Sequence, residues 1–202
     1  MSKCSVFTMI LALFFAFCPQ GHAQSPLPKQ KRTEHRLECQ FTMIRSLKVL
    51  KDTVSSSGKL YLGGPGLLRF ETRSPTRSIL VINQGQAWMH YPDLKVTKNF
   101  DLGQDPAMSV LSRHLLAITA GDLKGFEGAY TVVARTKQSM ELVPKQDSVR
   151  SIFKSIRVVL GPADIVSLVE LRSASGDLTT LQFDKVKLRK SFPAKLFGNP
   201  GQ

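Results

Sequence analysis

Hydrophobic spacing along this chain changes period several times, and each change marks a different kind of element. Val6 to Phe17 runs without a charge and with no alternation. Residues 24–34, which include Pro26, Pro28, Lys29, Lys31 and Arg32, carry no apolar periodicity and predict a flexible leader. From Arg36 onward the chain alternates or runs apolar over short stretches that end in turn signals. Leu37 to Phe41 reads as a strand. Ser55-Ser56-Ser57-Gly58 reads as a turn signal leading into Lys59 to Leu62, and Gly63-Gly64-Pro65-Gly66 turns the chain back. In Leu67 to Glu71, Leu68 and Phe70 fall on one face and Arg69 and Glu71 on the other. Ser78 to Ile82 is a continuous apolar run, as expected of a strand covered on both faces, and Asn83-Gln84-Gly85 is a hairpin signal before Ala87 to Tyr91.

One segment has helical spacing. Met108, Leu111, Leu115 and Ile118 share a helical face within Pro106 to Thr119, with Asp105 placed to cap it and Pro106 suited to its first turn. Strands resume at Tyr130 to Ala134, Ser139 to Val143, Ile156 to Leu160, Ile165 to Leu171, Leu178 to Phe183 and Lys185 to Lys190. Phe192, Leu196 and Phe197 form an apolar tail. Short strands in sequence with hairpin-length links predict an antiparallel meander of about nine to eleven strands. A sheet of that width curls, so the expected fold is mainly β: a barrel or half-barrel with the helix against its concave face.

Composition adds a compartment. Lys3, the apolar run to Phe17 and the small residues of Gly21-His22-Ala23 form a cleavable export signal, with cleavage expected between Ala23 and Gln24. A run of that length is shorter than the roughly 20 apolar residues of a membrane span. Phe17 before Cys18 is too bulky for a lipoprotein signal. The division expected is a signal peptide over 1–23, the leader over 24–34 and one domain over 35–202. After cleavage Cys39 stands alone, so no internal disulfide forms. The net charge is +13, nearly all of it outside the signal. Such a charge suits anionic membrane headgroups or acidic envelope partners, and it also serves solubility; export argues against nucleic acid.

Catalytic patterns are sparse. No Gly-x-Ser-x-Gly elbow occurs, and Ser56 to Leu60 lacks the first glycine and the Ser/Thr of a phosphate loop. His35, His90 and His114 have no metal-ligand spacing, His90 near Asp93 is a weak candidate, and no carboxylate pair stands out. The expectation is a binding protein, without cofactor or metal.

Several segments in order carry a resemblance. Ser57 to Glu71 is similar to the "S-G-x-L-x-L-x-x-P-x-x-x-R-[WF]-E" stretch of the LolA family. Ser78 to Val81 followed by Gly85, Trp88, Tyr91 and Pro92 resembles its "x-L-V-x-D-G-x-x-x-W-x-Y-x-P" stretch. Leu142-Val143-Pro144-Lys145 and Gly176 to Phe183 resemble later segments. The resemblance implies an unclosed antiparallel β half-barrel of LolA/LolB type with a helical lid over an apolar cavity. It implies a periplasmic carrier, a monomer that shields the acyl chains of lipoproteins between an inner-membrane transporter and an outer-membrane acceptor. A carrier of another lipid or glycolipid, an envelope sensor domain and a secreted lipid hydrolase are the alternatives. Candidate lining residues are Leu60, Leu62, Leu68, Phe70, Leu80, Ile82 and Trp88, with Met108, Leu111, Leu115 and Ile118 on the lid and Arg69 as a polar lid contact; the plain alternative for the apolar ones is ordinary core. The chain departs from the family in having no amphipathic helix over 24–34, in placing Gly64 at the latch-arginine position, and in Met43 where the first strand usually has glutamine.

Overall fold

The computed structural model describes residues 36–48, 52–119, 128–151 and 153–202. The expected signal, the expected cleavage site at Ala23 and Gln24, and the expected leader lie outside the described residues. Eleven strands form one antiparallel sheet: β1 (Leu37–Leu47), β2 (Asp52–Gly64), β3 (Leu67–Ser74), β4 (Ser78–Asn83), β5 (Gln86–Tyr91), β6 (Val96–Asp101), β7 (Tyr130–Arg135), β8 (Ser139–Pro144), β9 (Phe153–Leu160), β10 (Val166–Ser173) and β11 (Leu178–Leu188). Their spatial order is β6-β5-β4-β3-β2-β1-β11-β10-β9-β8-β7. The chain meanders outward from β1 to one edge, crosses to the other edge, and meanders back until β11 pairs with β1. The crossing includes α1 (Pro106–Thr119), and a short α2 (Asp147–Arg150) lies between β8 and β9.

Laid flat, ten interstrand spacings would separate the two edges by about 48 Å. Helix α1 is only about 21 Å long. It follows β6 directly, yet its His114 touches Tyr130 at the start of β7, on the far edge. The sheet therefore curls, and because β6 and β7 do not pair, it stops short of a barrel. Inward residues from ten of the eleven strands and from α1 make one hydrophobic core, from Leu37 and Phe41 in β1 through Leu68, Leu80 and Met89 to Leu142, Val158 and Phe183.

Three local outcomes differ from the pattern reading. Ser55-Ser56-Ser57-Gly58 is strand, not turn, and β2 runs straight through it. The rings of Phe41 and Phe70 stack at 4.2 Å between centroids and 24° between planes. Gly58 pairs with Phe41, and a Cβ on it would lie 2.8 Å from the Phe41 ring and collide with the Glu71 carbonyl. Gly58 thus gives up a side chain so that an aromatic can pack over the strand, and composition alone disguises this as a turn. Second, the segments at Leu178 and at Lys185 are one strand; β11 carries a bulge there, where Glu38 and Gln40 pair with Lys187 and Asp184 and Lys185 takes φ 52°. Third, β6 has largely exposed residues and little alternation, which hid it. The hairpin at Gln84-Gly85 is as expected, with φ of 40° and 106° fitting a two-residue turn of the favoured hand.

The outer face of the β2–β6 half is also covered. After β11 the chain runs across those strands. Phe192 meets the Tyr61 ring on β2 edge-on at 6.0 Å, and Arg69 Nη1 on β3 donates to the Leu196 carbonyl at 3.1 Å. Asn83 Nδ2 on β4 donates to the Phe197 carbonyl at 3.1 Å, and Gly201 lies against Thr97 on β6. Phe197 is 4 % exposed and lies on Gly63, where a Cβ would come within 2.5 Å of the ring. This tail is why Leu80, Val81 and Ile82 are all buried: Leu80 and Ile82 face the core, and Val81 faces the tail side. Phe197→Ala is expected to cost about 3 kcal/mol of unfolding free energy, in the range for a buried aromatic, and Asn83→Ala about 1 kcal/mol, the net worth of one hydrogen bond, both measured by urea titration.

Candidate functional site

The concave face is built by the period-two rule. Leu60 and Leu62 of β2, Leu68 and Phe70 of β3, and Leu80 and Ile82 of β4 all point inward, in register: Leu62 pairs with Leu68, Leu60 with Phe70, Leu68 with Ile82 and Phe70 with Leu80. These six candidate residues form one continuous apolar surface. Leu68 at its centre is fully buried and Phe70 is half-buried.

Helix α1 closes over this surface. Asp105 starts it as expected, its carboxylate accepting from the Met108 N–H at 2.9 Å. Met108, Ala117 and Ile118 are buried in the core, and Leu115 and Leu116 pack against it half-buried. The side chain of Leu111 lies outside those described. At the C-terminal end of the helix a small cavity of about 10 Å³ is bounded by Thr119, Leu37, Cys39, Leu60, Ile165, Val166, Phe183 and Val186. That is room for about one water, so the helix and sheet fit closely there.

Two candidates lie elsewhere. Trp88 alternates with Ala87 and Met89, both of which are core, and it pairs with Val81; it therefore sits on the outer face of the sheet. Arg69 also faces outward, since it alternates with Leu68 and Phe70. Its Nε lies 2.6 Å from Glu71 Oε1, and its other contact is the tail carbonyl of Leu196. It holds the C-terminal tail and not the lid, as the alternation of Leu67 to Glu71 already required.

Three polar groups inside the domain were not singled out by motif. Ser112 is one turn from Met108 on the same helical face, 2 % exposed, and its Oγ has no hydrogen-bond partner among the described residues. His114 Nε2 lies 3.3 Å from the Tyr130 hydroxyl, and the rings meet edge-on at 5.6 Å. Burial, helped by the Arg113 charge, lowers the His114 pKa to about 4, and burial raises that of Tyr130 to about 12, so both are neutral at pH 7. Arg45 is the third: it follows Phe41 and Met43 on the inward face of β1, 9 % exposed, and pairs with Asp177 at 3.2 Å. Burial pushes the Asp177 carboxyl up, but hydrogen bonds from the Lys48 N–H and from Arg45 outweigh it and hold the pKa below its ordinary value. The inward period of β1 is the signal that would have found Arg45.

Reactive chemistry gathers nowhere among the described residues. Cys39 is buried, and desolvation, with the negative charges of Asp184 and Glu38, raises its pKa to about 12, so it is a thiol packed as an apolar side chain. His90 bonds Thr97 at 2.8 Å, while Asp93 faces Arg77 at 3.6 Å, so the weak pair suggested by sequence is not formed. No group of three or more His, Cys, Asp or Glu residues able to hold a metal occurs among the described residues.

The arrangement is thus an open antiparallel half-barrel whose apolar inside is closed by a helix and not by a second sheet. Residues 34–199 match the family described as "Outer membrane lipoprotein carrier protein LolA". The chain belongs to the LolA family. It is similar to the outer-membrane lipoprotein carrier protein of Methylococcus capsulatus, 26 % identical over 194 residues that cover 93 % of this chain and 88 % of that one. It is also similar to that of Francisella tularensis subsp. novicida, 24 % identical with 91 % and 84 % covered. Among solved structures, a LolA superfamily protein from Nitrosomonas europaea aligns with a TM-score of 0.43 at 13 % identity, covering 82 % of this chain and 91 % of that one. The family assignment rests on the sequence match.

Two stability tests follow from the buried polar groups. His114 binds its proton less readily folded than unfolded, so the unfolded chain holds more protons between the ordinary histidine value and about 4. Stability is full above about pH 6.5 and falls by a few kcal/mol as pH drops towards 4; urea midpoints across this window should slope less in His114→Gln. Ser112→Ala removes an unsatisfied donor and should raise stability by about 1 kcal/mol, read as an increase in Tm.

Proposed function

We propose that this protein is a periplasmic carrier that shelters the acyl chains of lipoproteins between α1 and the curled sheet while they pass from the inner to the outer membrane. The observation that supports this reading is the unequal way the two sides of the site are held. The sheet satisfies its own backbone hydrogen bonds, strand to strand, whether or not α1 is present. The helix is seated by about five apolar side chains, Met108, Leu115, Leu116, Ala117 and Ile118, each worth roughly 1–3 kcal/mol when buried. A long acyl chain is worth on the order of 10 kcal/mol against water, at about 0.8 kcal/mol per methylene. Lifting the helix and seating one chain is therefore near balance, and two or three chains tip it. The lipid replaces the helix against Leu60, Leu62, Leu68, Phe70, Leu80 and Ile82, and withdrawal of the lipid lets the helix return.

The reaction carries no covalent step and calls for no cofactor. The protein takes its load from an inner-membrane transporter and yields it to an outer-membrane acceptor, acting as a monomer. The names of its curated relatives support lipoprotein as the load over other acylated lipids.

Native mass spectrometry of the protein recovered from periplasm tests the proposal. Acylated protein or diacyl lipid is expected to travel with the chain, and Phe70→Glu, on the half-buried part of the sheet surface that the lipid would occupy, is expected to lower that occupancy about tenfold while circular dichroism stays that of the folded sheet. A chain that is always empty, and that cannot extract lipoprotein from inner-membrane vesicles, would sink the carrier reading.

A further inference from the structure

The turn between β5 and β6 presents apolar side chains that the fold does not use. Pro92–Leu94 forms a single 3-10 turn, opened by proline and closed by the Lys95 N–H donating to the Pro92 carbonyl at 3.2 Å, with Lys95 at φ 53°. This is a shaped turn, yet it holds Leu94 63 % exposed, more than any other large apolar residue among the described ones. Val96, two residues on, is 44 % exposed. Cations surround the pair. Lys95 lies between them and Lys98 follows on β6, both exposed. Arg77, in the neighbouring β3–β4 turn, is 63 % exposed and lies 3.6 Å from Asp93, the one acid of this corner. A contact that open is worth little in holding the turn together.

An isolated exposed leucine is ordinary. An exposed leucine held by a proline turn, an exposed valine two residues on at the start of β6, and three cations close by form a composite that suits one environment well. At a bilayer surface apolar side chains enter the acyl boundary while lysine and arginine reach the phosphates of the headgroups. An aqueous protein groove would need both an apolar pocket and matching acids. The excess positive charge of the whole chain, +13, favours the same anionic surface.

We infer that the Pro92–Lys98 corner is a docking point for a bilayer containing anionic phospholipid. The inference rests on the carrier reading, since a carrier must meet a membrane surface at each end of its route, and a contact of one leucine, one valine and a few cations is weak enough to let go.

Co-sedimentation of the mature chain with vesicles tests it. Binding is expected to vesicles of phosphatidylglycerol and phosphatidylcholine at low salt, and not to phosphatidylcholine alone. Leu94→Asn should weaken binding about tenfold, from the loss of one inserted leucine. The double change Lys95→Gln with Lys98→Gln should weaken it roughly twenty-five-fold, about fivefold per cation. Lys185→Gln with Lys187→Gln, exposed on the distant β11, should change it less than twofold. Equal losses from the two lysine pairs, no effect of Leu94→Asn, or photo-crosslinking from position 94 into an envelope protein instead of lipid would each overturn the inference. Acyl cargo carried by Leu94→Asn should equal wild type. A chain that docks as described but never holds acyl cargo would overturn the carrier reading and leave the docking point standing.

Discussion

A wide antiparallel sheet bonds its own backbone but not its own apolar face, and every other feature of this protein depends on how that face is kept from water. Curling brings the inward residues of β2 to β5 towards those of β8 to β11 and reduces the area left to cover. Among the described residues, what remains is covered by α1, whose fourteen residues must serve eleven strands. The helix also lies on the stretch of chain that runs from one edge strand to the other, so the described element that packs over the concave face is part of what joins the two halves.

The two faces of the sheet are held by different means. Inside, contacts are almost all apolar: the stack of Phe41 on Phe70, and Met108 and Ile118 on leucines. Such contacts are non-directional, so another apolar body of similar volume can take their place. Outside, the tail is held by hydrogen bonds of fixed geometry from Arg69 and Asn83, together with a ring seated on a glycine. Exchangeable packing on one face and directional anchoring on the other fit a domain whose interior gives while its frame does not. Ser112 runs against this division, since it puts an unsatisfied hydroxyl into the apolar seat of the helix.

The sequence was most legible where one physical rule decided the outcome. Helical spacing and the Asp105 cap located α1 to its ends, and the unbroken run of Ser78 to Ile82 predicted a strand covered on both sides before the covering tail was known. It was least legible where a neighbour distant in sequence overrode local preference. Gly58 looks like a turn until the Phe41 ring is placed over it, and Lys185 looks like a new strand until the bulge opposite Glu38 and Gln40 is seen. On the inner face, the positions of Leu68 and Phe70 followed from alternation. Trp88 and Arg69 were assigned by their place in a matched stretch, and the alternation of their own strands put them on the other face. Arg45, His114 and Ser112 belong to no motif; the inward period of β1 points to Arg45, while His114 and Ser112 are marked out by burial.

The last residues of the chain also set when the fold can be completed. β1 is flanked by β2 and by β11, so its second edge is bare until residues 178–188 exist, with pairs such as Leu37 and Leu188 at opposite ends of the domain. The outer side of β2 to β6 waits longer still, for Phe192 and Phe197. Pairings this distant are slow to form, because a long loop must close before any contact rewards it. A chain emerging N-terminus first would present its first six strands with both faces uncovered, and it would reach the finished sheet only after the final few residues had arrived. Completion of the sheet and of its outer covering therefore both wait on residues 178–197.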